Sequence, residues 1–417
     1  MKPRPPVLRA RLQSAALGTV SLFLLCSLII FPEQVFHSSL KGLKIWWDVV
    51  LPALLPFFIA SEIMLGFGMV HFFGVLLEPL MRPLFRVPGT GAFVMAMAFA
   101  SGYLVGPKLT VRLREQKLIT RSEGERLVSF ANTAGPLFLF GAIAVGFFHD
   151  VTLGVTIAVA HYSASLIVGL LMRFHDPAAP VTETAAVDSR FFLFRALQAM
   201  HRARLKDGRS VGQLMGNAVS SAIQTLLVVG GFIVLFSVLM SILGQVGITR
   251  MLTAGIGVLF TFLHLPVELA PSLIAGTLET TLGAQSASQA PETVNLLHKL
   301  AVVSAVTAWS GLSVHAQVAS ILSKTDIRYT PYCIARLMHG CLAAVITLVI
   351  HKPVQQYMAQ SNTAIPAIFR DAPSGGWAQF WEWTDFIGIR FFAFMGTLLA
   401  VAVVIHLVRY ARMKSSP

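Results

Sequence analysis

Long apolar runs alternate with short polar turns along the chain, at roughly 15–31, 45–70, 90–107, 127–148, 151–173, 213–243, 248–265, 267–290, 296–323, 332–350 and 386–408. Most reach the ~18–20 residues that an α-helix needs to cross a bilayer. The pattern therefore predicts an all-α polytopic membrane protein. The first run follows the basic stretch KPRPPVLRAR and precedes FPEQVFHSSL, which offers no small-residue cleavage site, so it is expected as a retained first helix. Basic residues gather around Lys108–Arg126, Arg190–Arg209 and Lys324–Arg336 and in the tail from Arg409. Placing these loops with the basic N-terminus on the cytoplasmic side requires some apolar runs to enter and leave by the same face, as re-entrant hairpins.

The stretch VSFANTAGPLFLFGAI, residues 128–143, is apolar enough to lie in a membrane yet carries Ser129, Asn132 and Thr133 before Gly135 and Pro136. Proline removes a helical hydrogen bond and clashes with the preceding turn, and hydrocarbon penalises the groups that are freed. The break is either a kink satisfied by neighbouring helices or a place where something polar is held.

A polar segment at 174–210 divides the chain into halves of similar plan. The expected organisation is an N-terminal helix and flank (1–44), a first repeat (45–173), a cytoplasmic linker (174–210), a second repeat (211–325) and C-terminal helices (326–417). The last part includes a membrane-surface stretch at 353–385 with Trp377, Trp381 and Trp383. In the first half IMLGFGMV leads to an amphipathic stretch, then SGYLVGPK, a charged turn and the broken run. In the second, MSILGQVG leads to LIAGTLETTLGAQSAS, a polar turn and AWSGLSVHAQVASIL. Gly68 and Gly247, like Asn132 and Gly311, stand about 179 residues apart. Paired interruptions in two halves point to a transporter site.

Four stretches carry the candidate chemistry. Ser101, Gly102, Gly106 and Lys108 form a hairpin tip or helix end, though glycines at this spacing also serve helix packing. Ser129, Asn132 and Thr133 line the first break. Gly276, Thr277, Thr280 and Thr281 surround Glu279 at a second tip, which is either a buried site or a water-exposed loop. Ser310, Ser313, His315 and Gln317 line the second break. An intramembrane carboxylate is functional by default, so Glu279 and Glu62 are the candidate coupling-ion or proton groups. His161, His264, His298 and His339 lack metal-ligand spacing and read as interfacial or packing residues.

Composition agrees with the pattern: 417 residues, 55% hydrophobic, 12% charged, mean hydropathy +0.72. The net charge of +13 resides in loops that orient helices, so nucleic acid is not an expected partner. Cys26, Cys333 and Cys341 have neither zinc-site nor disulfide spacing. No Walker A, HExxH, GxSxG or cofactor fingerprint is present. No catalytic residue, metal or cofactor is expected, and transport would run downhill or on an ion gradient. Expected partners are a small-molecule substrate and membrane lipid, with homo-oligomerisation left open.

At SGYLVGPK, in LREQKLITRSEGERLVSFANTAGPLFLFGAIAVGFF and more weakly in the second half, the chain resembles the YlbJ-type (SpoVV) sporulation integral membrane proteins. These belong to the nucleoside-recognition, or gate, superfamily, which is similar to concentrative nucleoside transporters. The resemblance covers roughly 45–340. It implies two gate-type repeats with re-entrant hairpins and interrupted transmembrane helices. It also implies movement of dipicolinic acid from mother cell toward forespore across the outer forespore membrane, in support of cortex formation. One departure is that Leu104 and Val105 stand between the hairpin glycines, where the family often has a proline, and Pro107 follows Gly106. The alternatives are a nucleoside or related metabolite/ion symporter and, in a different class, a non-transporting membrane scaffold for cortex assembly.

Overall fold

The computed structural model describes residues 25–182 and 192–360, with a few positions between 15 and 23. The tryptophan-bearing stretch and last helix expected near the C-terminus lie largely outside the described residues, as do five positions of the first apolar run. Every regular element described is helical. Helix α1 (Pro32–Ile45) opens with proline in its first turn, where the missing N–H costs nothing. It continues through a wide turn at Trp46–Val50 into α2 (Leu51–Gly66). Residues 32–64 together are apolar and long enough for one bent span.

From here one order of elements occurs twice. In the first half Gly68, in the left-handed conformation at φ 77°, turns the chain into the amphipathic α3 (Met69–Phe85). A hairpin of α4 (Thr90–Ser101) and α5 (Val105–Glu115) follows. Then come α6 (Arg121–Phe130), a non-helical stretch, the wide-turned α7 (Phe138–Phe147) and the long α8 (Thr152–Met172). In the second half α10 (Val211–Gln245) ends at Gly247, at φ 79°, which turns the chain into amphipathic α11 (Ile248–Phe262). The hairpin is α12 (Ala270–Leu278) and α13 (Thr280–Ser288). The broken helix is α14 (Leu296–Trp309) and α15 (Gly311–Leu322), and the long closing helix is α16 (Tyr329–Gln360).

Among the described residues four helices are long and apolar enough to cross a membrane, or up to five when the bent pair counts as one span. Of the other apolar runs that are described, 90–107 and 267–290 form hairpins, 248–265 forms an amphipathic helix and 127–148 holds the first break. The 174–210 segment is not wholly extended: α9 (Phe192–Asp207) lies within it and approaches α3, with the Met200 carbonyl beside Gly68.

Lipid tails offer helices no hydrophobic drive to associate, so close approach through small residues carries the packing. A Cβ added at Gly106 would lie 1.6 Å from the Ala131 carbonyl oxygen, because the first hairpin rests on the first break. In the second half Gly311, at φ 70°, meets Leu278 and Glu279 at the second tip, and Gly283 abuts Gly276 across the hairpin. Both hairpins therefore seat by backbone contact on the interrupted helix that follows them.

Gly106→Ala should destabilise the protein by at least the ~1–3 kcal/mol typical of overpacking, read as a lower Tm of the purified protein in detergent. Gly212→Ala on α10, where nothing lies within 4 Å of the added methyl, should leave Tm unchanged or slightly raised. Equal melting of the two variants would contradict this seating.

Candidate functional site

The first break begins where α6 ends. The start of that helix is fixed by a capping box, Thr120 with Glu123, and its last carbonyls are buried without helical partners. Side chains from α8 and α16 supply what the helix no longer does. The Ser165 hydroxyl donates to the Phe130 carbonyl at 2.8 Å, and the Tyr162 hydroxyl to that of Ala134 at 3.0 Å. The Ala134 N–H donates to His161 Nε2 at 3.0 Å. The Arg336 guanidinium donates to the carbonyls of Ser129 and Asn132, each at 2.5 Å. Asn132 holds two partners with its side chain: Oδ1 accepts from the Leu104 N–H at 2.9 Å, and Nδ2 donates to the Tyr332 hydroxyl at 2.7 Å. Leu104 is in the left-handed conformation at φ 72°, so Asn132 clamps the strained tip of the first hairpin. Thr133 donates to the Ala98 carbonyl, and Ser129 to that of Glu125 one turn back.

The second break is shorter. Ser310, at φ 74°, interrupts the helix, and its neighbours are again satisfied by side chains. Tyr103, from the first hairpin tip, donates to the Thr307 carbonyl at 2.6 Å. Arg336 reaches the Ala308 carbonyl at 3.4 Å. His315 Nε2 donates to the Trp309 carbonyl at 3.0 Å, which leaves Nδ1 to accept from the Tyr329 hydroxyl at 2.6 Å. The Trp309 indole, stacked on His315, donates to the Thr277 carbonyl at the second tip. Glu279 is the N-cap of α13, and its carboxylate accepts from the Leu282 N–H at 2.8 Å and from Thr281.

One buried region thus gathers Ser101, Gly102, Gly106, Ser129, Asn132 and Thr133 from the first half with Gly276, Thr277, Glu279, Thr280, Thr281, Ser310, Ser313 and His315 from the second. Tyr103 joins the two, within electrostatic reach of Arg336, Tyr332, Glu279 and Tyr162. Three sequence candidates stand apart. Lys108 is exposed. Gln317 donates to the Ser313 carbonyl one turn along α15. Glu62, on α2, accepts from Ser221 on α10.

Sequence reasoning missed Arg336, Tyr332, Tyr162 and the role of His161. The signal for Arg336 was its place in RYTPYCIARLMHGCLAAVITL, with apolar helix on both sides, yet it reads as the last residue of a basic loop. Several buried polar atoms here have no partner among the described residues: the hydroxyls of Ser101, Thr280 and Thr307, and Arg336 Nε. Neither α7 nor α15 has a side-chain cap on its N-terminus. Among the described residues no group of three His, Cys, Asp or Glu side chains is placed to hold a metal.

A polar network outside the spans fastens this assembly. Arg328, in the loop before α16, grips Glu125 at 2.7 and 2.8 Å, and His175 meets the same carboxylate at 2.7 Å. Arg114 pairs with Asp326 through two bonds of 2.8 Å. The basic loops around 108–126 and 324–336 therefore lie together on one side. Burial would raise the Glu125 acid, but the bonds from Arg328 and His175 outweigh it and hold the carboxyl below its usual range.

A family model described as Gate, nucleoside recognition, matches residues 47–187 and 226–326. The sporulation integral membrane protein YlbJ of Bacillus subtilis (strain 168) is 47% identical over 346 residues, 83% of this chain and 84% of that protein. Among solved structures, CNTnw in an inward-facing substrate-bound state is 15% identical, with a TM-score of 0.48 over 84% of this chain and 87% of that one. A substituted CNTnw in an outward-facing state is 16% identical, with a TM-score of 0.45 over 85% and 87%.

Because the folded Glu125 pKa lies below the unfolded one, the network's contribution is full above the unfolded value of ~4.3 and is lost as pH falls through the folded value. Glu125→Gln should lower stability at neutral pH by up to about 3 kcal/mol and flatten the loss of Tm below pH ~5. Parallel pH profiles for variant and parent would contradict the assignment.

Proposed function

The chain belongs to the Gate, nucleoside-recognition, family as a YlbJ-type sporulation integral membrane protein, and from that premise we propose that it is a carrier for dipicolinic acid. It would move this small aromatic dicarboxylate from mother cell toward forespore across the outer forespore membrane, in support of cortex formation, by an alternating-access or elevator-like motion of the hairpins and broken helices. One observation carries the choice of an anion. The side chains best suited to read a base or ribose are already occupied: Asn132 by Leu104 and Tyr332, Glu279 by the first turn of α13, and Gln317 by Ser313. Among the described residues, what remains unpartnered is a set of hydroxyl donors: Thr280 opens α13, at a helix N-terminus that carries partial positive charge, and Ser101 and Thr307 sit in the last turns of α4 and α14, just before the breaks that lead into α5 and α15. Hydroxyls and half-helix N-termini suit carboxylates, and the rings of Tyr103, Phe138, Phe99 and Tyr162 suit a flat aromatic body.

Glu279 is the proposed proton-coupling group. Protonating it would release the Leu282 N–H and loosen the second tip, which links a proton to hairpin opening. Glu62, bonded to Ser221 on another face, has no comparable link. The second reading, a nucleoside or related metabolite symporter, is favoured by the description of the matching family model.

Proteoliposomes loaded with the purified protein should take up labelled dipicolinate saturably, with uridine and adenosine failing to compete. Thr280→Val and Ser101→Ala should each lower uptake about tenfold or more, since a hydrogen bond to a charged group is worth ~1.5–3 kcal/mol. Asn132→Ala and Glu279→Gln, which undo the tip contacts, should abolish it while the protein still assembles. Competition by uridine with dipicolinate inert would replace this reading with the nucleoside one.

A further inference from the structure

The breaks bring two half-helix C-termini onto one side chain. Arg336 donates to Ser129 at the end of α6 and to Asn132 just beyond it, and to Ala308 at the end of α14. It is fully buried in α16, stands over the Tyr332 ring at 5.8 Å, and makes no ion pair among the described residues. A helix C-terminus carries the equivalent of about −0.5 charge, so two of them balance one guanidinium. The buried arginine is therefore compensated by backbone dipoles and has no need of a carboxylate. The histidines facing it, His161 and His339, hold their Nε2 atoms on the Ala134 N–H and the His161 carbonyl. Tyr103 and Tyr332 face it from the first hairpin tip and from its own helix.

In carriers built from discontinuous helices, unwound carbonyls and half-helix C-termini are the groups that coordinate a coupling Na⁺ or H⁺. Here those groups are taken by the chain itself. We propose that Arg336 is a resident cation, fixed where a coupling metal ion would otherwise sit, so that the breaks need no Na⁺ to stay formed and transport draws nothing from a Na⁺ gradient at this place. Three carbonyls take its two Nη groups, and only Nε lacks a partner among the described residues. Only the transport consequence rests on the dipicolinate-carrier reading. Occupancy of the carbonyl cage does not.

The test measures both. In detergent, the Tm of the unmodified protein should be the same in NaCl and choline chloride at equal ionic strength, and dipicolinate uptake by proteoliposomes should be unchanged when Na⁺ is replaced on both sides. Arg336→Ala, with the cage emptied, should lose uptake at least tenfold and gain a cation-dependent Tm, rising by about 2 °C or more with millimolar methylguanidinium or Na⁺ but not choline. Arg336→Lys, which keeps the charge, should show no such dependence. Specific Na⁺ stabilisation of the unmodified protein, or Na⁺-driven uptake by it, would overturn the proposal even if Arg336→Ala fails to fold. A folded Arg336→Ala indifferent to every cation would also overturn it. Na⁺-independent melting without any dipicolinate uptake would leave the resident cation standing and remove the substrate reading instead.

Discussion

A backbone carbonyl at hydrocarbon depth must have a donor, and two interrupted helices here meet that requirement at one point. The guanidinium of Arg336 takes carbonyls from both broken helices, although it belongs to neither of them. Around it Ser165, Tyr162, His161, Tyr103 and His315 each satisfy one further backbone group of the breaks. With those groups satisfied, the hairpins can press their glycines directly onto the breaks. Without them the interruptions would be sites of unpaired polar atoms, each costing several kcal/mol in lipid.

The internal repeat leaves a trace in one pair of side chains beside this cluster. Helices α8 and α16 occupy equivalent places, and their histidines, His161 and His339, are 178 residues apart and meet with ring centroids 4.7 Å apart and planes tilted by 47°. Each half keeps the left-handed glycine before its amphipathic helix, the hairpin and the break. The halves have diverged in how the tips are closed. The first tip is held from outside by Asn132, whereas the second is held from within by the Glu279 cap. This asymmetry gives the second tip, alone of the two, an ionisable latch.

Much of this was legible in the sequence, and the reasons are physical. Gly135 and Pro136 after three polar residues cannot continue an α-helix, so the first break was plain. Re-entrant hairpins followed from counting basic loops against apolar runs, and Gly68 and Gly247 marked the repeat. The second break has no proline, and its polar residues and offset from the first gave it away. What stayed hidden depends on contacts between distant segments. Arg336 looks like a topology charge until α16 brings it onto the Asn132 carbonyl, 204 residues away in sequence. Lys108 is a candidate because it adjoins a tip in sequence, yet its helix turns it outward. Asn132 and Glu279 stand at a break and a tip in the sequence and in the structure alike, but their hydrogen bonds to Leu104 and Leu282 could not be read without the fold.

The most direct measurement of the central claim is equilibrium binding of labelled dipicolinate to the purified protein in detergent, with uridine as competitor. Saturable binding is expected that uridine leaves intact and that Thr307→Val weakens, since that hydroxyl is without a partner among the described residues. Binding of uridine in place of dipicolinate, or dipicolinate binding indifferent to Thr307, Ser101 and Thr280 alike, would contradict it.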